Sequence, residues 1–190
     1  MLQDLIEQSR SCRRFHENEK IPIEYLKDLV NLARLSPSAS NLQPLKYILS
    51  NKPEKNAKIF RHLSWAAYLT QWQGPAEGEQ PSAYIIILGD TSIVKSFNCD
   101  HGIAAQTILL GACEKGLRGC IVGSINRQAI HEELNIDTSY KILLVIALGK
   151  PKEIIVLEKV KADGDIRYWR DKDGIHHVPK RNLEDIILSE

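Results

Sequence analysis

The chain has 190 residues, 43% of them hydrophobic and 26% charged, which suits one globular domain and argues against wholesale disorder. A formal net charge of +1 leaves no global case for binding nucleic acid or a membrane surface, so any anion site must come from local clustering of arginines. The opening residues lack a basic segment followed by a long apolar run, and stretches such as 142–148 are far too short to span a bilayer; a cytoplasmic protein is expected.

Leu2, Leu5 and Ile6 predict a short amphipathic opening helix. Pro22 stands where a second helix can begin without a usable N–H, and Leu26, Leu29, Val30 and Ala33 line one face of it. Pro37 ends that helix by holding Ser36 extended. Residues 46–50 read as a strand, 54–69 as a helix and 83–88 as a strand. The longest helix is expected over 101–115, apolar on most sides and therefore buried in a core or an interface, with Gly116 as its stop.

A strand over 119–122, a helix over 127–134 and a strand over 142–148 follow. Asp163-Gly164 and Asp173-Gly174 are turn pairs favoured in hairpins, flanking extended segments at 166–170 and 175–178. A short helix over 183–188 is predicted to finish the chain. The order is an α+β pattern with antiparallel pairing, in a single domain over 1–190 whose residues 152–190 form a C-terminal extension, hairpin and tail. No G-x-G-x-x-G, P-loop, H-E-x-x-H or G-x-S-x-G motif occurs.

Three polar clusters could carry chemistry. Ser9 to Arg14 holds three arginines and two serines, a donor set that clamps phosphate oxygens; a solvated basic loop pairing with Glu17 and Glu19 explains it too. Ser36 to Pro44 combines two prolines, three hydroxyls and two amides, suited to the mixed donor–acceptor edge of a flavin pyrimidine, or to an ordinary helix-to-strand turn. Lys180-Arg181 puts positive charge near the end of the chain. The four cysteines, Cys12, Cys99, Cys113 and Cys120, form no C-x-x-C pair and fit reduced, mostly buried thiols rather than a metal or disulfide site.

Taken together, Arg10-Ser11-x-Arg13-x-Phe15, Pro37-Ser38-x-x-Asn41-x-Gln43-Pro44 and the terminal Lys180-Arg181 resemble the FMN-binding signature of the nitroreductase family. Asp100-x-Gly102-x-Ala104-Ala105-Gln106, Gly116-Leu117-x-Gly119-Cys120-Ile121-Val122-Gly123 and Leu148-Gly149-x-Pro151 extend the resemblance over nearly the whole chain. It implies a three-layer α+β sandwich, with a mostly antiparallel central sheet flanked by helices. It also implies a domain-swapped type of homodimer that holds FMN at its interface. On this resemblance Arg10, Ser11 and Arg13 hold the phosphate, ribityl chain and pyrimidine side, with Arg13 as the electrostatic stabiliser. Pro37, Ser38, Asn41 and Gln43 reach the flavin from the other subunit. Val122, Gly123 and Ser124 lie close to the ring, and Lys180 with Arg181 closes on the phosphate. Ser9 departs from the pattern, because many relatives carry a basic residue there; Arg10, Arg14 or Lys180 would have to take up that contact.

The implied activity is hydride transfer from NAD(P)H to a nitroaromatic, quinone or related planar acceptor. A flavin storage, delivery or sensing protein with little turnover is the competing reading. Trp65, Tyr68 and Trp72, next to Gly74-Pro75 and Gly78, are candidates for the substrate pocket, or for a helix end that packs its aromatics into the core. Tyr168, Trp169, His176 and His177 raise the same question. Adjacent histidines on a strand face opposite sides, so no metal site is expected from that pair.

Overall fold

The computed structural model describes residues 1–189. Its centre is a four-stranded antiparallel sheet of β1 (Leu45–Ser50), β2 (Ala83–Asp90), β3 (Arg118–Val122) and β4 (Tyr140–Gly149), in the order β1-β2-β4-β3. Every residue of β2 is buried, so its near-continuous apolar run reflects a strand covered on both faces. Alternation then divides the core. Ile85 and Ile87, with Ile146 and Leu148 of β4, face α2 (Ile23–Arg34) and α4 (Asp100–Glu114). Tyr84, Ile86 and Leu88, with Val145 and Ala147, face the side covered by α3 (Pro53–Phe60) and α5 (Arg127–Glu133). These are the three layers expected from the sequence.

On the first side α2 buries Leu26, Leu29 and Ala33 against Ala104, Ala105, Ile108 and Ala112 of α4. The two helices approach closely at Gly111, where a Cβ would lie 2.5 Å from Leu32. Gly116, at φ +71°, ends α4 and turns the chain into β3. A short α1 (Leu2–Gln8) precedes the sheet in sequence. Among the described residues no helix is long and apolar enough to cross a membrane.

The C-terminal region forms a second sheet of β5 (Ile155–Lys159), β6 (Trp169–Arg170) and β7 (His176–Lys180), in the order β5-β7-β6. β6 and β7 make the expected hairpin around Asp173-Gly174, where the Asp171 carboxylate accepts from the N–H groups of Asp173 and Ile175. β5 pairs with β7 in parallel and was not foreseen, although Ile155-Val156-Leu157 is an apolar run of strand-forming residues.

Two expected helices are corrected. The helix over 54–69 stops at Phe60, because the next residues join another backbone instead of continuing the spiral. Leu63 bridges Ile125, Ser64 N–H donates to Ser124 carbonyl at 3.0 Å, and Ala66 sits at φ +42°. The helix over 183–188 is a turn, closed by Ile186 N–H on Leu183 carbonyl. Its apolar residues are exposed among the described residues, Leu188 at 98%, and so short a helix does not hold by itself.

Candidate active site

The N-terminal segment is stitched across the ends of β3 and β4. Ser11 bridges Gly119, Cys12 N–H donates to Gly119 carbonyl at 3.0 Å, and Phe15 bridges Pro151. The Phe15 ring fills the space beside Gly149, where a Cβ would come within 2.6 Å of it. This stitching sends Arg13 inward. Its backbone N–H donates to Glu153, its Nη1 donates to Ser11 carbonyl at 3.2 Å, and its guanidinium lies 4.9 Å from the centre of the Tyr168 ring.

Arg13 lines a cleft of about 200 Å³ together with Ser64 to Ala67, Cys120 to Ser124 and Tyr168. Four sequence candidates, Arg13, Val122, Gly123 and Ser124, therefore meet in one place, with Trp65 beside them. A Cβ on Gly123 would meet no atom within 4 Å, so the backbone there faces open space. Burial pushes the Cys120 and Cys12 thiols up, so neither supplies a thiolate nucleophile to the cleft.

The other two arginines of the cluster turn elsewhere. Arg10 folds back onto α1, its Nη2 donating to Ile6 carbonyl at 2.6 Å, and its buried Nε has no partner. Arg14 makes a two-pronged pair with Glu79 at 2.6 and 2.7 Å, which Lys152 joins at 3.0 Å. The Arg14 hydrogen bonds draw the Glu79 carboxyl down to about 2. Glu17, which a solvated basic loop would pair with these arginines, instead accepts from the N–H groups of Gly78 and Gln80.

The Ser36–Pro44 loop is tied to the start of α4. Ser38 Oγ donates to Asp100 at 2.6 Å and accepts from Gln43 N–H at 3.0 Å, while Ala39 N–H donates to the other Asp100 oxygen. Ser40, Asn41 and Gln43 all sit at positive φ, a costly backbone for residues with side chains. Pro37, Ser38 and Gln43 line a second cleft of about 230 Å³ with Tyr47 and Asp100, and it shares no residue with the Arg13 cleft. The exposed Asn41 and Gln43 side chains bond to each other at 3.2 Å.

Lys180 and Arg181 are exposed at the end of β7 and make no ion pair among the described residues. Of Trp65, Tyr68 and Trp72 only Trp65 lines the Arg13 cleft, where Tyr168 joins it. Tyr68 packs on Tyr168 at 5.0 Å, and Trp72 lies under the Arg170 guanidinium at 4.3 Å, so these two clasp the C-terminal sheet. His176 and His177 face opposite sides, as strand alternation requires. His177 is held by Glu158 and Asp171 and stacks on Trp169, while His176 turns inward to Arg13.

A profile of the nitroreductase family matches residues 6–150. The chain belongs to that family. A chloronitrobenzene nitroreductase of Comamonas testosteroni is 31% identical over 196 residues, covering 78% of this chain and 86% of that protein. Among solved structures, a nitroreductase family protein of Streptococcus pneumoniae TIGR4 matches with a TM-score of 0.72 over 100% of both chains at 16% identity. An FMN-dependent nitroreductase of Clostridium difficile R20291 matches at 0.63, with 24% identity over 78% of this chain and 86% of that one. These two likenesses establish the fold. In this nitroreductase-family chain the matched stretch ends at Lys150, so Glu153, Tyr168, His176, Lys180 and Arg181 all lie beyond it. Of the residues around Arg13, Glu153 carries no local signal in the sequence, and Cys120 reads there only as a reduced thiol.

Proposed function

We propose that this chain is an FMN-dependent oxidoreductase of the nitroreductase family, passing hydride from NAD(P)H to a nitroaromatic, quinone or related planar acceptor. The observation that carries the reading is the Arg13 guanidinium in a cleft that it lines together with the bare backbone of Gly123. A cation next to a stretch of backbone that a flat ring can approach closely suits the pyrimidine side of a flavin. The names of the Comamonas relative and the Clostridium structure favour the same chemistry.

When bound, FMN supplies the two-electron hydride chemistry. The chain's own residues supply position and charge. Arg13 favours negative charge on the ring edge next to it. Val122, Gly123 and Ser124 line the cleft with their strand end, and Trp65 and Tyr168 line it with aromatic rings. For the phosphate, Lys180 and Arg181 are exposed cations that make no ion pair among the described residues, whereas Arg14 is committed to Glu79. Arg10 has its buried, unpartnered Nε to offer, and Ser11 its exposed hydroxyl.

The second cleft favours a homodimer. Pro37, Ser38 and Gln43 line a cleft that shares no residue with the Arg13 cleft, and Asn41 stands on the same loop, so a second copy is what would bring the two sets to one flavin. Leu35, 65% exposed, together with Leu32, Leu42 and Ile103, makes the surface around that loop apolar enough to be covered. Such a dimer is expected to work in the cytoplasm.

The test is the absorption spectrum of purified protein before and after anaerobic NADH and NADPH. A flavin band that bleaches with either nucleotide and returns on adding a quinone is expected. A colourless protein that cannot be loaded with FMN overturns the proposal. A band that persists under both nucleotides overturns turnover and leaves a flavin-binding storage, delivery or sensing protein.

A further inference from the structure

Arg13 is anchored from one guanidinium nitrogen only. Nη1 donates to Ser11 carbonyl and lies 3.4 Å from His176 Nε2, while Nε and Nη2 meet no nitrogen or oxygen acceptor among the described residues. The Tyr168 ring covers one guanidinium face and itself rests on Tyr68 at 5.0 Å and on His176 at 5.3 Å. Tyr168 directly precedes β6 and His176 opens β7, both beyond the stretch that matches the family.

An arginine only donates, so in this contact His176 Nε2 is the acceptor and a neutral imidazole carries its proton on Nδ1. The residue is 1% exposed and its Nδ1 finds no partner. Burial first, then the charges of Arg13 and Arg170, hold its pKa down to about 4, so the neutral form persists at neutral pH. The contrast with neighbouring cations is chemical. Glu79 neutralises Arg14 and Glu153 neutralises Arg170, but Glu153 reaches Arg13 only through its backbone N–H.

We propose that His176 and Tyr168 are positioning residues that hold Arg13 as an uncompensated cation, with its unbonded edge open to the cleft, for the pyrimidine side of the flavin; this rests on the FMN reading above. A neutral acceptor orients the guanidinium without cancelling its charge. The Tyr168 ring face blocks the rotamers that would swing it away, and adds a cation–π contact.

The test combines FMN titration of the apo-protein, followed by quenching of flavin fluorescence, with the two-electron midpoint potential of the loaded protein. His176→Gln keeps an acceptor near the Nε2 position and is expected to stay close to wild type in both. His176→Phe removes the acceptor and weakens FMN binding by about tenfold or more, the size of a lost hydrogen bond to a charged group. His176→Glu keeps an acceptor but adds a carboxylate. It is expected to cut the preference for reduced flavin about tenfold, a fall of ~30 mV. Tyr168→Phe is expected to match wild type, and Tyr168→Leu to follow His176→Phe. Should the Phe variant fail to fold, the Gln and Glu variants decide between them, since a merely structural histidine would not move the potential. Wild-type binding with an unchanged potential in His176→Glu overturns the positioning role alone. A wild-type chain that binds no FMN overturns the function proposed above as well.

Discussion

Glu153→Ala tests the joint between the C-terminal sheet and the rest of the chain. The Glu153 side chain is fully buried, accepting from Arg13 N–H on one oxygen and from Arg170 Nη2 at 2.8 Å on the other. Arg170 is only 15% exposed, so removing the carboxylate strands a mostly buried guanidinium and an unsatisfied backbone donor together. Breaking one side of a buried pair costs about 3–5 kcal/mol. The lost N–H acceptor belongs to the same carboxylate and is not added separately. At this chain length each kcal/mol lowers Tm by ~2–4 °C, so a fall of roughly 6–20 °C is expected. Urea unfolding followed by the fluorescence of the three tryptophans measures the same loss through its midpoint. Replacing both partners by methionine should cost less than Glu153→Met alone, because no charge is then left buried. A loss below about 1 kcal/mol for Glu153→Ala would refute the reasoning, since water would already be solvating Arg170.

Gly119→Ala would put a Cβ 2.6 Å from Ala147 carbonyl oxygen and 2.7 Å from Leu109, so it should destabilise by about 1–3 kcal/mol through overpacking, and an unchanged urea midpoint would contradict that. His176, with a folded pKa of about 4 against the ordinary 6.5, binds fewer protons folded than unfolded. Its contribution to stability is therefore complete above the ordinary value and lost as pH falls from 6.5 towards 4, and His176→Gln should flatten that slope in unfolding curves measured across the window. Glu79, drawn from 4.5 to about 2 by Arg14 and then Lys152, gives stability that is present above its ordinary value and lost as pH falls towards 2. Glu79→Gln should remove that acid-side loss, and an acid transition with the same slope in both proteins would count against the pair.

The sheet was legible because its information is local. An all-apolar run such as 83–88 and the small-residue helix of α4 state their burial by themselves. So was the Arg13 cleft in part, since Arg13 and Val122 to Ser124 stand in motifs whose order along the chain survives folding. What escaped was decided between distant residues. Nothing in 54–69 tells that Ser64 will bond to Ser124, sixty residues on, and that bond ends the helix early. Nothing in Ser9 to Arg14 tells which arginine meets Glu79. The segment 183–188 has a helical pattern, but its apolar residues are exposed among the described residues.

The arginine cluster reads as one basic patch in sequence and becomes three different electrostatic environments in space. Arg14 is cancelled by a carboxylate, and Arg10 is spent on a carbonyl at the end of α1. Arg13 alone keeps its charge inside a cleft, because the side chains around its guanidinium are a neutral imidazole, a phenol ring and a protonated thiol. Holding a cation that way costs desolvation without the return a salt bridge would give. Glu153 accepts from the Arg13 backbone N–H and spends its other oxygen on Arg170, which leaves the Arg13 guanidinium without a carboxylate among the described residues. An arrangement that leaves a cleft cation without a carboxylate is one in which the charge is kept for something other than the fold, and the cleft that Arg13 shares with Gly123 is where that something would sit.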